Sequence, residues 1–344
     1  APHGAMDTQF CVGKASAWAM EAWTRAPHAL DRQPRTLKRA MAAGGDAAVW
    51  VEPALNKIFR DDQPVPTGTL DAVARVSLAR NERESVQVVL RPPEGRNWLD
   101  VTLDVPDLVN TATNARIAAG HIRAYRVGYC PVAVPSHFEG PTGSWPDPLE
   151  PLAPFMAEGG ACTPLWLTVY APPGTPPGIY RGLAQIVSSN AGPVEFWLEA
   201  TVYDFELPVI PALKTDFGFW REGALDVCAR MGFSGDAAAL ESAYLRDALD
   251  HRVTLRELAA LPSESADYEA SLAAYEKRLA ILRQGGASTH EVPASLLDVP
   301  AQLALANAFV TKHGLAGQVF SHIGDEPPPP AWPRLFERMQ TWLD

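Results

Sequence analysis

No pair of cysteines with C-x-x-C spacing occurs in this chain of 344 residues; Cys11, Cys130, Cys162 and Cys228 are widely scattered. That excludes the close thiolate pairs of zinc and dithiol sites, while neither requiring nor excluding disulfides. No apolar run approaches the roughly 18 residues of a spanning helix, and the N-terminus has no apolar signal-peptide core. Cation-rich stretches are missing apart from the short basic segment between Arg32 and Arg39, and the formal net charge is -11. Such a field repels phosphate backbones, so nucleic acid is not an expected partner. There is no G-x-G-x-x-G after a strand and no phosphate-loop lysine motif; Gly232-Phe233-Ser234-Gly235 only approaches a serine-hydrolase elbow. Histidines at i, i+4 on a helix are also lacking, so neither a metal site nor a cofactor is expected.

What is present is an ordinary globular composition, 47% hydrophobic and 20% charged. A chain of this length holds two domains more readily than one, because single cores stop growing at roughly 250–300 residues. Residues 1–46 favour helix by propensity around Ala15 to Trp23 but show no clear apolar face, and are read as helical or poorly ordered. Residues 47–208 alternate apolar and polar in short runs, among them Leu165-Trp166-Leu167-Thr168-Val169-Tyr170, broken by turn-formers such as Pro172-Pro173-Gly174. Period-two patterning with frequent turns predicts an antiparallel, immunoglobulin-like β-sandwich. Its tryptophans Trp166 and Trp197 are assigned to the core.

Residues 209–344 change texture again. Strands are predicted at 214–220, 252–258, 287–292 and 318–324, alternating with helices at 237–250, 268–284, 301–313 and 331–343. A βα repeat implies a parallel sheet and a (β/α) TIM-type barrel. The stretch is far short of the roughly 250 residues of eight units, so the barrel is expected to stop after about four. An unfinished barrel would leave sheet edges uncovered and could self-associate.

The fourth predicted strand ends in Gly324-Asp325-Glu326-Pro327. Two adjacent carboxylates resist ionising together, and barrel enzymes keep their chemistry at the carboxyl ends of strands. The competing reading is a helix cap, with the acid as N-cap and proline in the first turn. The strand-like run before the acids and the four prolines from Pro327 to Pro330 favour catalysis. Trp220, at the end of the first strand, is the candidate sugar platform, since C–H bonds of a pyranose stack on an indole face. His290, His322 and Arg252 complete the candidate substrate-binding set; for each histidine the competing reading is a satisfied structural hydrogen bond.

The order of several segments carries a resemblance. Ala79-Arg80-Asn81-Glu82-Arg83-Glu84-Ser85-Val86-Gln87-Val88-Val89-Leu90-Arg91 is followed by Trp145-Pro146-Asp147-Pro148-Leu149 and Pro177-Gly178-Ile179-Tyr180-Arg181-Gly182. Tyr203-Asp204-Phe205-Glu206-Leu207-Pro208 and Gly324-Asp325-Glu326-Pro327 come after them. From Ala48 onward the chain resembles bacterial glycoside-hydrolase-like proteins that join a β-sandwich to a barrel domain, relatives of glycoside hydrolase family 123. The resemblance implies a secreted or periplasmic glycosidase acting on an oligosaccharide or polysaccharide with β-linked N-acetylhexosaminide units. It further implies that Glu326 is the general acid and that Asp325 orients the substrate's own acetamido group for attack. A non-catalytic carbohydrate-binding or structural module with a degenerate barrel is the alternative.

Overall fold

Alternation is the rule that builds the first half of the chain. In the run from Thr163 to Ala171, Leu165, Leu167, Val169 and Ala171 are fully buried while Trp166, Thr168 and Tyr170 face outward, as the two-residue period of a pleated strand requires. The computed structural model describes residues 36–39, 42, 46–66, 72–134, 142–230, 232 and 234–343, and these divide into two compact units, up to Glu206 and from Leu207 onward. The helical reading of residues 15–23 lies outside the described residues.

The first unit begins with strands β1 (Thr36–Arg39), β2 (Ala48–Pro53), β3 (Gln63–Pro66), β4 (Val73–Arg80) and β5 (Glu82–Arg91). Next come β6 (Trp98–Asp104), β7 (Leu108–Val109), β8 (Arg116–Ile117), β9 (Ile122–Val132) and β10 (Gly143–Pro151). It ends with β11 (Phe155–Ala157), β12 (Thr163–Ala171), β13 (Gly178–Ser188) and β14 (Ala191–Glu206). One sheet has the order β10-β9-β12-β5-β2, and the other β11-β6-β13-β14-β4 with β7 and β8 alongside. The two share one core, to which the first sheet gives Val88, Leu90, Leu165 and Leu167 and the second gives Trp98, Tyr180, Ile186 and Phe196. Each such side chain stabilises the fold by roughly 1.5–3 kcal/mol through burial alone.

Three sequence expectations are corrected here. The pairing is not wholly antiparallel, because β14 runs parallel to β4 with Ala200 opposite Val76. Trp166 and Trp197 are not core residues: the alternation that buries Phe196 and Leu198 turns Trp197 outward, 42% exposed, and the fully buried indoles among the described residues are Trp50 and Trp98. The basic segment before residue 40 contains an extended piece, β1, which pairs in parallel with β3. On the outer face Glu199 sits between Arg181 of β13 and Arg75 of β4, its cross-strand neighbours, and bonds both guanidinium groups. Cys130, Cys162 and Cys228 are free thiols. Burial pushes the Cys162 thiol up to about 12, and its Sγ donates to the Asp62 carbonyl at 3.0 Å.

The second unit is helical with short parallel pairings. Its helices are α1 (Arg221–Arg230), α2 (Ala237–Asp250), α3 (Arg256–Ala259), α4 (Tyr268–Gly285), α5 (Pro300–Lys312) and α6 (Trp332–Leu343). Capping fixes their ends: Asp236 accepts from the N–H groups of Ala238 and Ala239 ahead of α2, and Asp267 from that of Ala270 ahead of α4. Gly286 closes α4 at φ 85°, where a Cβ would lie 2.1 Å from the Val209 carbonyl oxygen. Leu245, Leu249, Leu272, Leu279, Leu282, Leu296 and Phe309 form its core.

Strand structure here is much shorter than the sequence suggests. Where four strands are expected there is one parallel bridge, Phe217 with Leu255, and one parallel pair, β15 (His290–Glu291) with β16 (Val319–Phe320). Hydroxyl groups explain part of the shortfall. Thr215 Oγ1 accepts from the Thr254 N–H, Thr254 Oγ1 from the Ser288 N–H, and Ser288 Oγ from the Thr215 N–H. Side chains thus take backbone bonds that a regular ladder would have used. The expected second strand is also cut off by α3 at Arg256, and the fourth ends at Phe320. The described residues contain no closed barrel, and no helix among them is long and apolar enough to cross a membrane.

Candidate functional site

The short parallel segments bring together four charged or titratable side chains. Asp216 precedes the Phe217 bridge, Arg256 follows the Leu255 bridge, Glu291 ends β15, and His322 lies two residues beyond β16. Arg256 grips Asp216 with Nε 3.1 Å from Oδ1 and Nη2 2.6 Å from Oδ2, the fork geometry that makes Arg–carboxylate pairs directional. Its Nη1 also lies 2.9 Å from His322 Nδ1. Guanidinium can only donate, so Nδ1 is the acceptor in this contact and the ring's N–H lies at Nε2. His322 therefore presents a fixed N–H donor on an exposed ring.

Glu291 is the carboxyl group whose charge this environment opposes. Burial raises its proton affinity first and the nearby Asp216 charge adds to that, against Arg256, His322 and the His322 backbone N–H. A folded-state value above the ordinary 4.5 means that the folded protein holds this proton more tightly than the unfolded chain. Stability is then full below about pH 4.5 and falls as pH rises from there to the raised value. Glu291→Gln is expected to remove that fall. Chemical denaturation of both proteins between pH 4 and 8 tests it, and parallel pH profiles would contradict it.

The expected site residues are distributed differently. His322 belongs to the cluster. Asp325 and Glu326 lie three and four residues further along, Asp325 no more than about 11 Å from His322 by chain length. Both acids are exposed in a bend, and Glu326 has φ 41°, a left-handed conformation uncommon for a non-glycine residue. They do not cap the last helix. A 3-10 turn, Pro329–Ala331, intervenes, with Pro328 at its cap position and no side-chain cap. Gly324 fixes this bend against α6, since a Cβ there would lie 2.9 Å from Leu335 Cδ2.

Trp220 is 78% exposed. Its ring lies across Gly223 in the first turn of α1, so close that a Cβ at 223 would be 2.2 Å from Cε3. One indole face is thereby braced and the ring stays largely open to solvent.

His290 and Arg252 are corrected. His290 is fully buried. Tyr275 Oη donates to the Ala259 carbonyl at 2.7 Å, so His290 Nδ1, 2.9 Å from Tyr275 Oη and 3.3 Å from the Ala259 carbonyl oxygen, carries the proton and donates. Burial lowers the proton affinity of the ring, with the Arg283 charge in the same direction and the Ala259 carbonyl and Gln318 side chain opposing. The Gln318 side chain is near enough to act on the charge but not in bonding geometry, and Nε2 has no hydrogen-bond partner among the described residues. This histidine is enclosed by protein and presents no surface to solvent. Arg252 precedes its segment, at the amino end opposite the cluster, with φ 61° and Nη1 donating to the Pro208 carbonyl at 2.8 Å.

Asp216, Arg256 and Glu291 are not among the residues expected from sequence, because none is part of a pair of adjacent acids like Asp325 and Glu326. Arg256 and Glu291 do stand near the carboxyl ends of strand-like runs, whereas Asp216 lies near the start of one. Glu291 directly follows His290.

No family model and no curated protein sequence matches this chain. Among solved structures, a family 123 glycoside hydrolase from Clostridium perfringens, studied for glycolipid glycan hydrolysis, aligns over 86% of this chain with a TM-score of 0.59 and 12% identity. The likeness is one of fold, and the alignment spans 61% of that enzyme's length. The PapD-like domain of human CEP192 aligns over 46% of this chain and 87% of its own with a TM-score of 0.25 and 10% identity. A Bacteroides ovatus GH5 xyloglucanase aligns over 70% of this chain and 50% of its own with a TM-score of 0.18 and 10% identity.

Proposed function

We propose that the second unit is the barrel-derived catalytic part of a glycosidase acting on β-linked, acetamido-bearing glycans. The observation that carries this is the convergence of Asp216, Arg256, Glu291 and His322 on the short parallel segments, in a chain whose fold is similar to that of a glycan-hydrolysing enzyme. Sugar hydroxyls need fixed donors and acceptors in a small space, and this cluster supplies both.

Glu326 protonates the departing glycosidic oxygen as the C1–O bond breaks. The substrate's acetamido oxygen attacks C1 from the other face, with Asp325 accepting a hydrogen bond from the acetamido N–H. Water then opens the cyclic intermediate, giving up a proton to Glu326. Adjacent carboxylates suit this route, because substrate assistance does not require two carboxylates set across the ring. The left-handed backbone at Glu326 is consistent with a functional bend, where strain is commonly kept. Trp220 offers its open face to the sugar ring.

The exposure of both acids favours a second reading, a carbohydrate-binding module that holds glycans without cleaving them. An aryl β-N-acetylgalactosaminide assay separates the two: release of the aryl alcohol supports hydrolysis, and saturable binding without release supports the module. Within the hydrolase reading, Gly223→Ala should tilt the Trp220 ring away and lose a stack worth about 1 kcal/mol. Steady-state kinetics would show KM up roughly fivefold with kcat little changed; an unchanged KM removes Trp220 from the site.

A further inference from the structure

Next to the strand-end cluster lies a cleft of about 520 Å³ between the 260–263 segment, α4 and the residues after β15. That is within the range of small-ligand sites. Its walls include Pro262, Ser263, Ala274, Arg278, Glu291 and Pro293. Glu291 is the shared element: it ends β15, and its backbone carbonyl accepts the Leu261 N–H of the same wall at 2.8 Å. Glu257, a further wall residue, directly follows Arg256 of the cluster, so the cleft adjoins the cluster at two positions.

Its polar groups are not equally committed. The carboxylate of Glu257, also in the wall, accepts the Phe219 N–H, and the Ser271 hydroxyl donates to the Asp267 carbonyl. Arg278 makes no hydrogen bond or ion pair with any described residue, and Ser263 makes none through its hydroxyl. Pro262, Pro293 and Ala274 add C–H groups without polar atoms to the same walls. A pyranose has the same division, with hydroxyls around its edge and C–H bonds on its faces.

We propose that this cleft binds the sugar ring next to the one that is cut, with Arg278 and Ser263 donating to its hydroxyls, so that the protein reads at least a disaccharide. The inference rests on the glycosidase reading and extends it to a second ring. The ligand class is a neutral β-linked disaccharide or longer glycan.

The test uses the full chain carrying Glu326→Gln, so that ligands survive. Calorimetry compares methyl β-N-acetylgalactosaminide with N-acetylgalactosaminyl-β-1,3-galactose. The disaccharide should bind about tenfold more tightly, and both Arg278→Ala and Ala274→Trp should erase most of that advantage while leaving the monosaccharide unchanged. Ala274 is exposed on α4, so the larger side chain fills the cleft without entering the core, and circular dichroism checks the fold of both variants. No advantage for the disaccharide, or an advantage that survives Ala274→Trp, overturns the inference. Failure of the glycosidase reading shows separately: wild-type protein that leaves the disaccharide intact, yet retains the cleft-dependent preference, keeps the second ring and loses the hydrolysis.

Discussion

Glu326→Gln is expected to lower hydrolysis of an aryl β-N-acetylgalactosaminide by about 10²- to 10⁴-fold, the usual worth of a positioned general acid. The amide has the shape of the carboxyl group but no proton to give, so the loss should fall on kcat and spare KM. A leaving group that needs no protonation provides the internal control. With a dinitrophenyl glycoside the deficit should shrink, because the departing phenolate is already stable. Asp325→Asn should also reduce kcat while failing to recover with the better leaving group, since its role is toward the acetamido nitrogen. Full activity in Glu326→Gln would move the acid elsewhere, and Glu291 would be the next residue to replace.

The second large effect is expected from Arg256→Ala, at about a hundredfold in kcat/KM. Arg256 makes a bidentate pair with Asp216 and fixes the His322 ring through Nδ1. Removing it leaves a carboxylate without its partner and an imidazole free to rotate, protonate or change tautomer. Misplacement of a positioning group by about 1 Å is enough for losses of this size. The Asp216–Arg256 side chains are only about a quarter exposed, and the loss of charge-assisted bonds should cost about 1.5–3 kcal/mol of stability. Denaturant midpoints report that part. His322→Ala separates the two roles: it should lose activity without the stability cost, because the ring is exposed. If Arg256→Ala lost stability but kept kcat/KM, Arg256 would be a structural residue alone.

Much of the first unit is legible in its side-chain alternation. Period-two burial in β12 follows directly from which residues are apolar, and even the outward aim of Trp197 is implied by Phe196 and Leu198 on either side; β13 keeps the period but turns Ile179, Leu183 and Val187 outward. Treating a tryptophan as core because it is large overrode the pattern that placed it. The parallel β14–β4 pairing could not be read locally, because strand direction depends on the path of the chain between elements. In the second unit the four expected helices fall close to where residue spacing put them, whereas α1 and α3 were not expected. Strand lengths were overestimated, since apolar composition does not reveal that Thr215, Thr254 and Ser288 satisfy backbone groups with their side chains.

Sequence alone determined that apolar alternation gives way after residue 208 to a βα texture, and that two adjacent acids stand at the end of its last strand-like run. Those are properties of neighbouring residues, and short-range geometry is enough to express them. Which charged groups meet was decided only by tertiary structure. Asp216, Arg256 and His322 are spread over more than a hundred residues, and parallel pairing of their segments sets their side chains within hydrogen-bond reach, with Glu291 close enough to feel their charges. The same packing decided between the two neighbours at the end of β15: it buried His290 against Tyr275 and left Glu291 at the wall of the cleft, because consecutive residues of a strand face opposite sides.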